Sequence, residues 1–282
     1  MAIDGRAVSS SSFIVRDAVG HPSPSQLLDV IDGRTVGIHI RDAMSPAQQR
    51  ALVSHFQNSP GTRPRSDGVP GRVLGAYHYG KTYGEYIRQV DASKEFVDRF
   101  LLAGGDPVAE VLYSVQEAVR VRNMHVRPAM WRNHRAGRAR ALSWSGEGEF
   151  LLDPHEDISQ LTEPIQEGFE VQQSFGRRVI AVNIYPNVPR GGGTLRIWNI
   201  IPNHDTRVRF GVQHTGYPYP TESLTDIESL EFAPASGSIV LMDGALIHAV
   251  TGYGEGTSSR EPRLLVNFFM GEIDRQTMVH WV

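Results

Sequence analysis

Cysteine is absent from this chain of 282 residues. Its absence rules out disulfide frameworks, thiolate metal sites and cysteine nucleophiles together. Any metal must be held by nitrogen and oxygen donors, which suits Fe, Mn, Zn or Ni at a mixed histidine–carboxylate site. Long apolar runs are missing too, and nothing approaches the roughly 20 residues of a membrane-spanning helix. The opening residues, Met1 to Val8 and then Ser9 to Ser12, have neither a basic n-region nor an apolar h-region, so a cytoplasmic protein is expected. An excess of charge is also lacking. With 28 Lys and Arg against 31 Asp and Glu the net charge is −3, which gives no general attraction to nucleic acid or anionic membrane. Internal repeats and linkers are absent as well. With 40% hydrophobic residues the chain can bury a core without staples, and one domain over residues 1–282 is the simplest expectation.

What is present changes character along the chain. The Ser-rich start reads as a mobile segment or an arm that orders on the body. Thr35 to Ile40 alternates like a short strand, and Ser45-Pro46 has the cap and first-turn signature of a helix carried by Ala47, Ala51, Leu52 and Phe56. Asn58 to Gly71 reads as a long loop, and Arg72 to Tyr79 as a strand with Tyr77 and Tyr79 on one face. From Tyr83 to Arg122 the period is helical, with a second helix starting at Asp106-Pro107 and Val108, Val111, Leu112, Val115 and Val119 at core spacing. Met124 to Arg140 is basic but short, so it reads as a solvated face with one or two arginines for a small anion. After residue 140 short apolar stretches alternate with turn signals: 141–144, 149–152, 178–185, 193–198, 208–212, 238–242 and 264–270. The expected fold is mainly β with helical support (α+β). It is a jelly roll of the cupin-like, double-stranded β-helix kind over residues 140–272, with strands and supporting helices in 1–125.

The chemistry concentrates in Glu149-Phe-Leu-Leu-Asp-Pro-His155-Glu156-Asp157. If this run is a strand, His155 and Asp157 share one side and Glu156 faces the other. An imidazole and a carboxylate there supply two of the three ligands of a 2-His-1-carboxylate site. His248, after the strand-like Ile239 to Met242 and the Asp243-Gly244 turn, is the candidate third. Arg263 opens the apolar stretch Arg263 to Phe269, where a guanidinium is costly to bury unless it meets a carboxylate.

This ordered set, H-x-D followed by a distal histidine and then an arginine, resembles the iron(II)/2-oxoglutarate-dependent dioxygenases over residues 140–272. The resemblance implies Fe(II) on His155, Asp157 and His248, with 2-oxoglutarate and O₂ as co-substrates. It also implies Arg263 on the distal carboxylate of 2-oxoglutarate. Gly191-Gly-Gly-Thr194-Leu195 matches the family's G-G-x-L strand, which makes Thr194 a further co-substrate residue. Within the family the chain looks most like the N-succinyl L-amino acid hydroxylases, which implies β-carbon hydroxylation of an N-succinylated branched-chain amino acid such as N-succinyl-leucine. Halogenases of this shape have Gly or Ala in place of the ligand carboxylate; Asp157 implies hydroxylation instead. No protein general base is required, so His78, His125 and His204 are expected to be structural or surface residues. Substrate partners would come from Arg72, Lys81, Arg140 and Arg196, walls from Tyr79, Trp198 and Phe269, and lids from residues 58–71 and 203–221. The expected partner is a small N-acyl amino acid, with a homodimer as a possible assembly and neither nucleic acid nor membrane. Competing readings are a hydroxylase of another free small molecule or amino acid, a nucleic-acid demethylase and a non-catalytic cupin-like module.

Overall fold

The computed structural model describes residues 2–66, 69–144, 148–191, 193–253 and 263–282. Two sheets face each other across the middle of the molecule. The major sheet has ten strands. Its centre is Ser238–Asp243, Val179–Asn187, Arg263–Glu272 and Arg140–Trp144, each antiparallel to its neighbour. The minor sheet runs Phe150–His155, His248–Thr251, Leu195–Trp198 and Ser229–Phe232, again antiparallel. This is the mainly β, double-stranded β-helix architecture with helical support, and helices cover the outer face of the major sheet.

The central strands are buried on both faces, so they read as continuous apolar runs while still sorting by period two. In Val179–Asn187, Ala181 and Tyr185 face the minor sheet, whereas Ile180, Val182 and Ile184 join the cluster under the helices. Ala181 pairs with Phe269 and Val182 with Phe268. Leu265 and Phe269 therefore also turn inward, and Leu264, Val266, Phe268 and Met270 turn outward.

The outer helices are Pro24–Ile31, Pro46–Asn58, Tyr83–Ala103 and Pro107–Val119. Three begin with reciprocal capping boxes, Ser23 with Gln26, Ser45 with Gln48 and Thr82 with Glu85, so otherwise unpaired first-turn N–H groups are satisfied locally. Leu52, Phe56, Phe100, Leu101, Val108 and Val115 press one apolar face onto the sheet. A Cβ at Gly104 would lie 2.4 Å from Leu52 Cγ, so glycine lets the end of Tyr83–Ala103 pack closely on Pro46–Asn58. No helix among the described residues is long and apolar enough to cross a membrane.

Two expectations change, and one open alternative is decided. The alternation at 208–212 is not a strand: His204–Arg209 is a helix, started by Asn203, whose side chain accepts from Thr206 N–H. Gly211 at φ 70° then turns the chain, so local capping overrides the apolar period. The strand expected over 72–79 is only Gly71–Leu74; Gly75 at φ 107° ends it, although the Tyr77 and Tyr79 rings still lie 4.7 Å apart. The Ser-rich start is an ordered arm, with Gly5–Arg6 pairing Ile201–Pro202 and Val15–Val19 adding a parallel edge beside Gly37–Arg41. The lid expected over 58–71 includes residues 67 and 68, which lie outside the described residues, as does Gly192.

Two buried histidines give the fold an acid limit. Gln166 donates through Nε2 to His78 O and to Lys81 O. Its Oε1, 2.9 Å from His78 Nδ1, therefore accepts. Burial pushes His78 down to about 4, and burial beside Arg138 does the same to His280. Both values fall below the unfolded value near 6.5, so between those limits the unfolded chain binds protons that the folded one does not. Stability is then fully present above about 6.5 and is lost as pH falls toward 4, by roughly 2 kcal/mol per histidine between pH 6.5 and 5. Urea unfolding of His280→Phe, whose ring would sit in the apolar surroundings of Phe268, is expected to show a shallower loss than the parent. Equal losses would remove His280 from this account.

Candidate metal centre

The strand Phe150–His155 carries two register shifts and ends at His155, which pairs with His248, the first residue of His248–Thr251. Asp157 lies past the strand end, so strict strand alternation is not what aims it. Its amide donates to Gly244 O at 2.7 Å, and this bond ties the ligand turn to the turn that leads into His248. The result is a convergence of His155, Asp157 and His248, with one donor atom from each lying within 4.8 Å of the others. The two imidazole centroids are 4.2 Å apart, and His248 Nε2 is 3.4 Å from Asp157 Oδ2.

Tautomers follow from the second ring nitrogen. His155 Nδ1 lies 2.8 Å from Asp153 O, and His248 Nδ1 lies 2.9 Å from Leu246 O. A carbonyl oxygen only accepts, so each Nδ1 carries the proton and each Nε2 presents a lone pair. Burial, with His248 alongside, holds His155 well below its ordinary value, and burial lowers His248. Burial, with Glu156 adding repulsion, pushes Asp157 up to about 8. Two neutral imidazoles and a carboxylate that a cation would stabilise fit a divalent iron ion, whose own charge reverses the penalty on Asp157.

The donors open into a cavity of about 240 Å³ between the sheets. Arg263 lines it from the start of its strand, opposite Trp144, and is fully buried. Its Nη1 donates to Gly193 O at 2.6 Å, and its guanidinium stands 4.9 Å from the Tyr185 ring centroid.

Of the other expected residues, Tyr79, Arg140 and Phe269 line the cavity, and both expected lids reach it, through Arg65 and Val69 and through Thr215 and Tyr217. The rest sit elsewhere. Leu195 faces inward, so Thr194 and Arg196 fall on the other side of their strand. Thr194 Oγ1 meets Thr251 Oγ1 at 2.9 Å, and Arg196 pairs with Glu231 and lies over Trp198. Trp198 is buried in a separate cluster with Tyr219 and Ile247. Arg72 Nη2 donates to Thr62 O, and Lys81 Nζ donates to Tyr77 O. In the basic segment, Arg127 binds Glu170 through both guanidinium nitrogens and Arg138 binds Asp106. Two of its arginines are therefore engaged within the protein.

Sequence reasoning missed Asn183 and Asn267, whose side chains bond each other at 3.0 Å on the cavity floor, and Tyr185 and Trp144. A polar residue inside an otherwise apolar strand was the available signal for both asparagines. Tyr217 falls within the expected lid 203–221 but is not singled out there; its hydroxyl donates to Asp153 Oδ2.

No family profile matches the chain. The L-isoleucine 3(1)-dioxygenase of Pantoea ananatis (strain AJ13355) is 30% identical over 249 residues, which is 86% of this chain and 82% of that protein. Among solved structures, the N-substituted L-amino acid dioxygenase from Burkholderia ambifaria AMMD superposes with a TM-score of 0.54, covering 92% of this chain and 91% of that one at 10% identity, a likeness of fold. The identity and coverage shared with the Pantoea enzyme mean that the chain belongs to the iron(II)/2-oxoglutarate-dependent dioxygenases, oxidoreductases that use Fe(II), 2-oxoglutarate and O₂.

Proposed function

We propose that this enzyme hydroxylates the aliphatic side chain of a branched-chain L-amino acid, with His155, Asp157 and His248 as the iron ligands. Iron(II), when bound, supplies the oxidative decarboxylation of 2-oxoglutarate to succinate and CO₂ that drives hydroxylation of an unactivated C–H bond. The protein's own work is placement. Arg263 takes the distal carboxylate of 2-oxoglutarate as an always-charged fork. Leu142, Trp144, Leu265 and Phe269 give an apolar wall that excludes water and receives the substrate side chain. Asp157 occupies the place a halide would need, which favours hydroxyl transfer. The observation that carries this reading is the convergence of the three donors and Arg263 on one cavity. At about 240 Å³ that cavity is smaller than the roughly 300–1,000 Å³ of drug-sized pockets, so it suits two small acids.

The kinship with an enzyme named for L-isoleucine favours an unacylated substrate. A second reading, β-hydroxylation of an N-succinyl branched-chain amino acid such as N-succinyl-leucine, has its own support. Arg65 and Arg140 line the cavity with Arg263, while the carboxylates among the described lining residues are Glu156, engaged by Arg207, and Asp157. An N-succinyl amino acid brings two carboxylates and no ammonium. Succinate release and product mass, measured across free and N-succinyl isoleucine, leucine and valine, separate the two. Turnover of the free acids alone is the expected result; turnover of the succinylated acids alone would install the second reading, and turnover of neither series would remove both.

A further inference from the structure

Glutamate between two metal ligands is an expensive choice if it serves only to fill a turn. Glu156 is 1% exposed, and a buried carboxylate loses several kcal/mol of hydration unless it is paired and hydrogen-bonded. It is held by an unusual number of donors. Its Oε2 accepts from the Ile158 and Ser159 amides at 2.7 and 2.9 Å. Its Oε1 accepts from Ser159 Oγ, from Arg207 Nε at 3.0 Å and from Tyr219 Oη at 3.4 Å. Arg207 is itself buried, on the short helix His204–Arg209.

That helix begins the segment that walls the cavity through Thr215 and Tyr217. Three backbone contacts join the same two stretches. Glu156 N–H donates to Gly216 O at 3.0 Å, and Tyr219 N–H donates to Pro154 O at 2.8 Å. A Cβ at Gly216, which sits at φ 66°, would come 2.2 Å from Glu156 O, so the two backbones touch where only glycine fits. On its other side the ligand turn is fixed by Asp157 N–H to Gly244 O at 2.7 Å and by Gln160 Nε2 to Asp157 O at 2.8 Å. A displacement of Arg207 is therefore passed through Glu156 to the peptide that aims Asp157.

We infer that Glu156 and Arg207 are a positioning pair, which locks the cavity wall 204–219 to the H-x-D turn and so sets both iron affinity and substrate placement. This rests on the reading of His155, Asp157 and His248 as iron ligands. A buried ion pair is a poor source of stability compared with apolar packing, but it gives one defined geometry, and outer-shell partners of metal ligands affect affinity or activity by about 10–100-fold. Two effects follow. Loosening Glu156 frees Asp157 and weakens iron binding. Loosening Arg207 lets Thr215 and Tyr217 drift, so 2-oxoglutarate is consumed without hydroxylation.

The test uses Glu156→Gln, which keeps the shape and one acceptor, Arg207→Met, which keeps the apolar stem, and Arg207→Lys, which keeps the charge without the fork. Each metal-free protein is titrated anaerobically with Fe(II) alone. The ratio of succinate to hydroxylated product is then measured with the preferred amino acid. Glu156→Gln is expected to weaken Fe(II) binding by about 10–100-fold. Arg207→Met is expected to raise the ratio from near one to a clear excess of succinate, and Arg207→Lys to fall between it and the parent. Parental affinity and parental ratio in all three variants would overturn the inference while leaving the iron site intact. Should the first two fail to fold, Arg207→Lys decides alone, because a parental ratio in it would overturn the pair. A parent protein that binds no Fe(II) would overturn the ligand assignment, and this inference with it.

Discussion

Asp157→Ala is expected to abolish product formation and to weaken Fe(II) binding by at least roughly 100-fold, beyond the range seen for outer-shell partners. The reason is charge as much as count. His155 and His248 are neutral donors held in place by Asp153 O and Leu246 O, so Asp157 supplies the anion of the donor set. Without it a dication would enter a buried site with no formal negative charge on the two remaining ligands, His155 and His248. Asp157→Glu is expected not to restore the site, because the residue 157 backbone is fixed by its amide bond to Gly244 O and one extra methylene carries the carboxylate away from the position set by Asp157. The metal-free fold responds in the opposite sense. Burial and Glu156 both disfavour the Asp157 carboxylate, so the alanine variant is expected to melt no lower than the metal-free parent. Metal content after anaerobic loading, read beside the melting temperature of the metal-free protein, tests both halves. Retention of Fe(II) at the parental level would place the ion elsewhere.

The residues of this centre were legible in the sequence, but their geometry was not. Strand alternation predicted the ligand pair, but the strand ends at His155: Glu156 and Asp157 both lie beyond it, and Asp157 is aimed by its amide bond to Gly244 O. That contact joins residues 87 positions apart, and no local pattern encodes it. Helix starts were readable because a capping box is local: Ser45 and Gln48 sit three residues apart in sequence and in space. The helix at His204–Arg209 was misread because Val208, Phe210 and Val212 alternate like a strand, and only the Asn203 cap and Gly211 reveal the competition.

Strand faces were the other limit. Thr194, Arg196 and Trp198 have suitable chemistry for a binding site, but Leu195 is the residue that faces the cavity, opposite Val250. A one-residue change in register would have exchanged them, and register is set by pairing partners distant in sequence. Along Arg263–Glu272 the inward set Arg263, Leu265, Asn267 and Phe269 was recoverable, since one charged and one amide side chain at even spacing mark the wet face of an apolar strand.

Arg263→Met is expected to raise KM for 2-oxoglutarate by about two orders of magnitude with a much smaller change in kcat. Losing a charged partner from a buried, hydrogen-bonded pair costs about 2–5 kcal/mol, and each 1.4 kcal/mol is tenfold in affinity. The loss falls on KM because the distal carboxylate of 2-oxoglutarate is unchanged by the reaction, so the contact holds ground state and transition state alike. Arg263→Lys is expected to recover little. The arginine is fully buried, donates through Nη1 to Gly193 O at 2.6 Å and faces the Tyr185 ring, so its fork is oriented by two neighbours before the co-substrate arrives. An ammonium provides a point charge without that planar geometry. Steady-state kinetics in 2-oxoglutarate at saturating amino acid, with Fe(II) affinity measured separately, isolate the effect. An unchanged KM in Arg263→Met would assign the co-substrate to another cation of the cavity, and Arg140 would then be the residue to replace next.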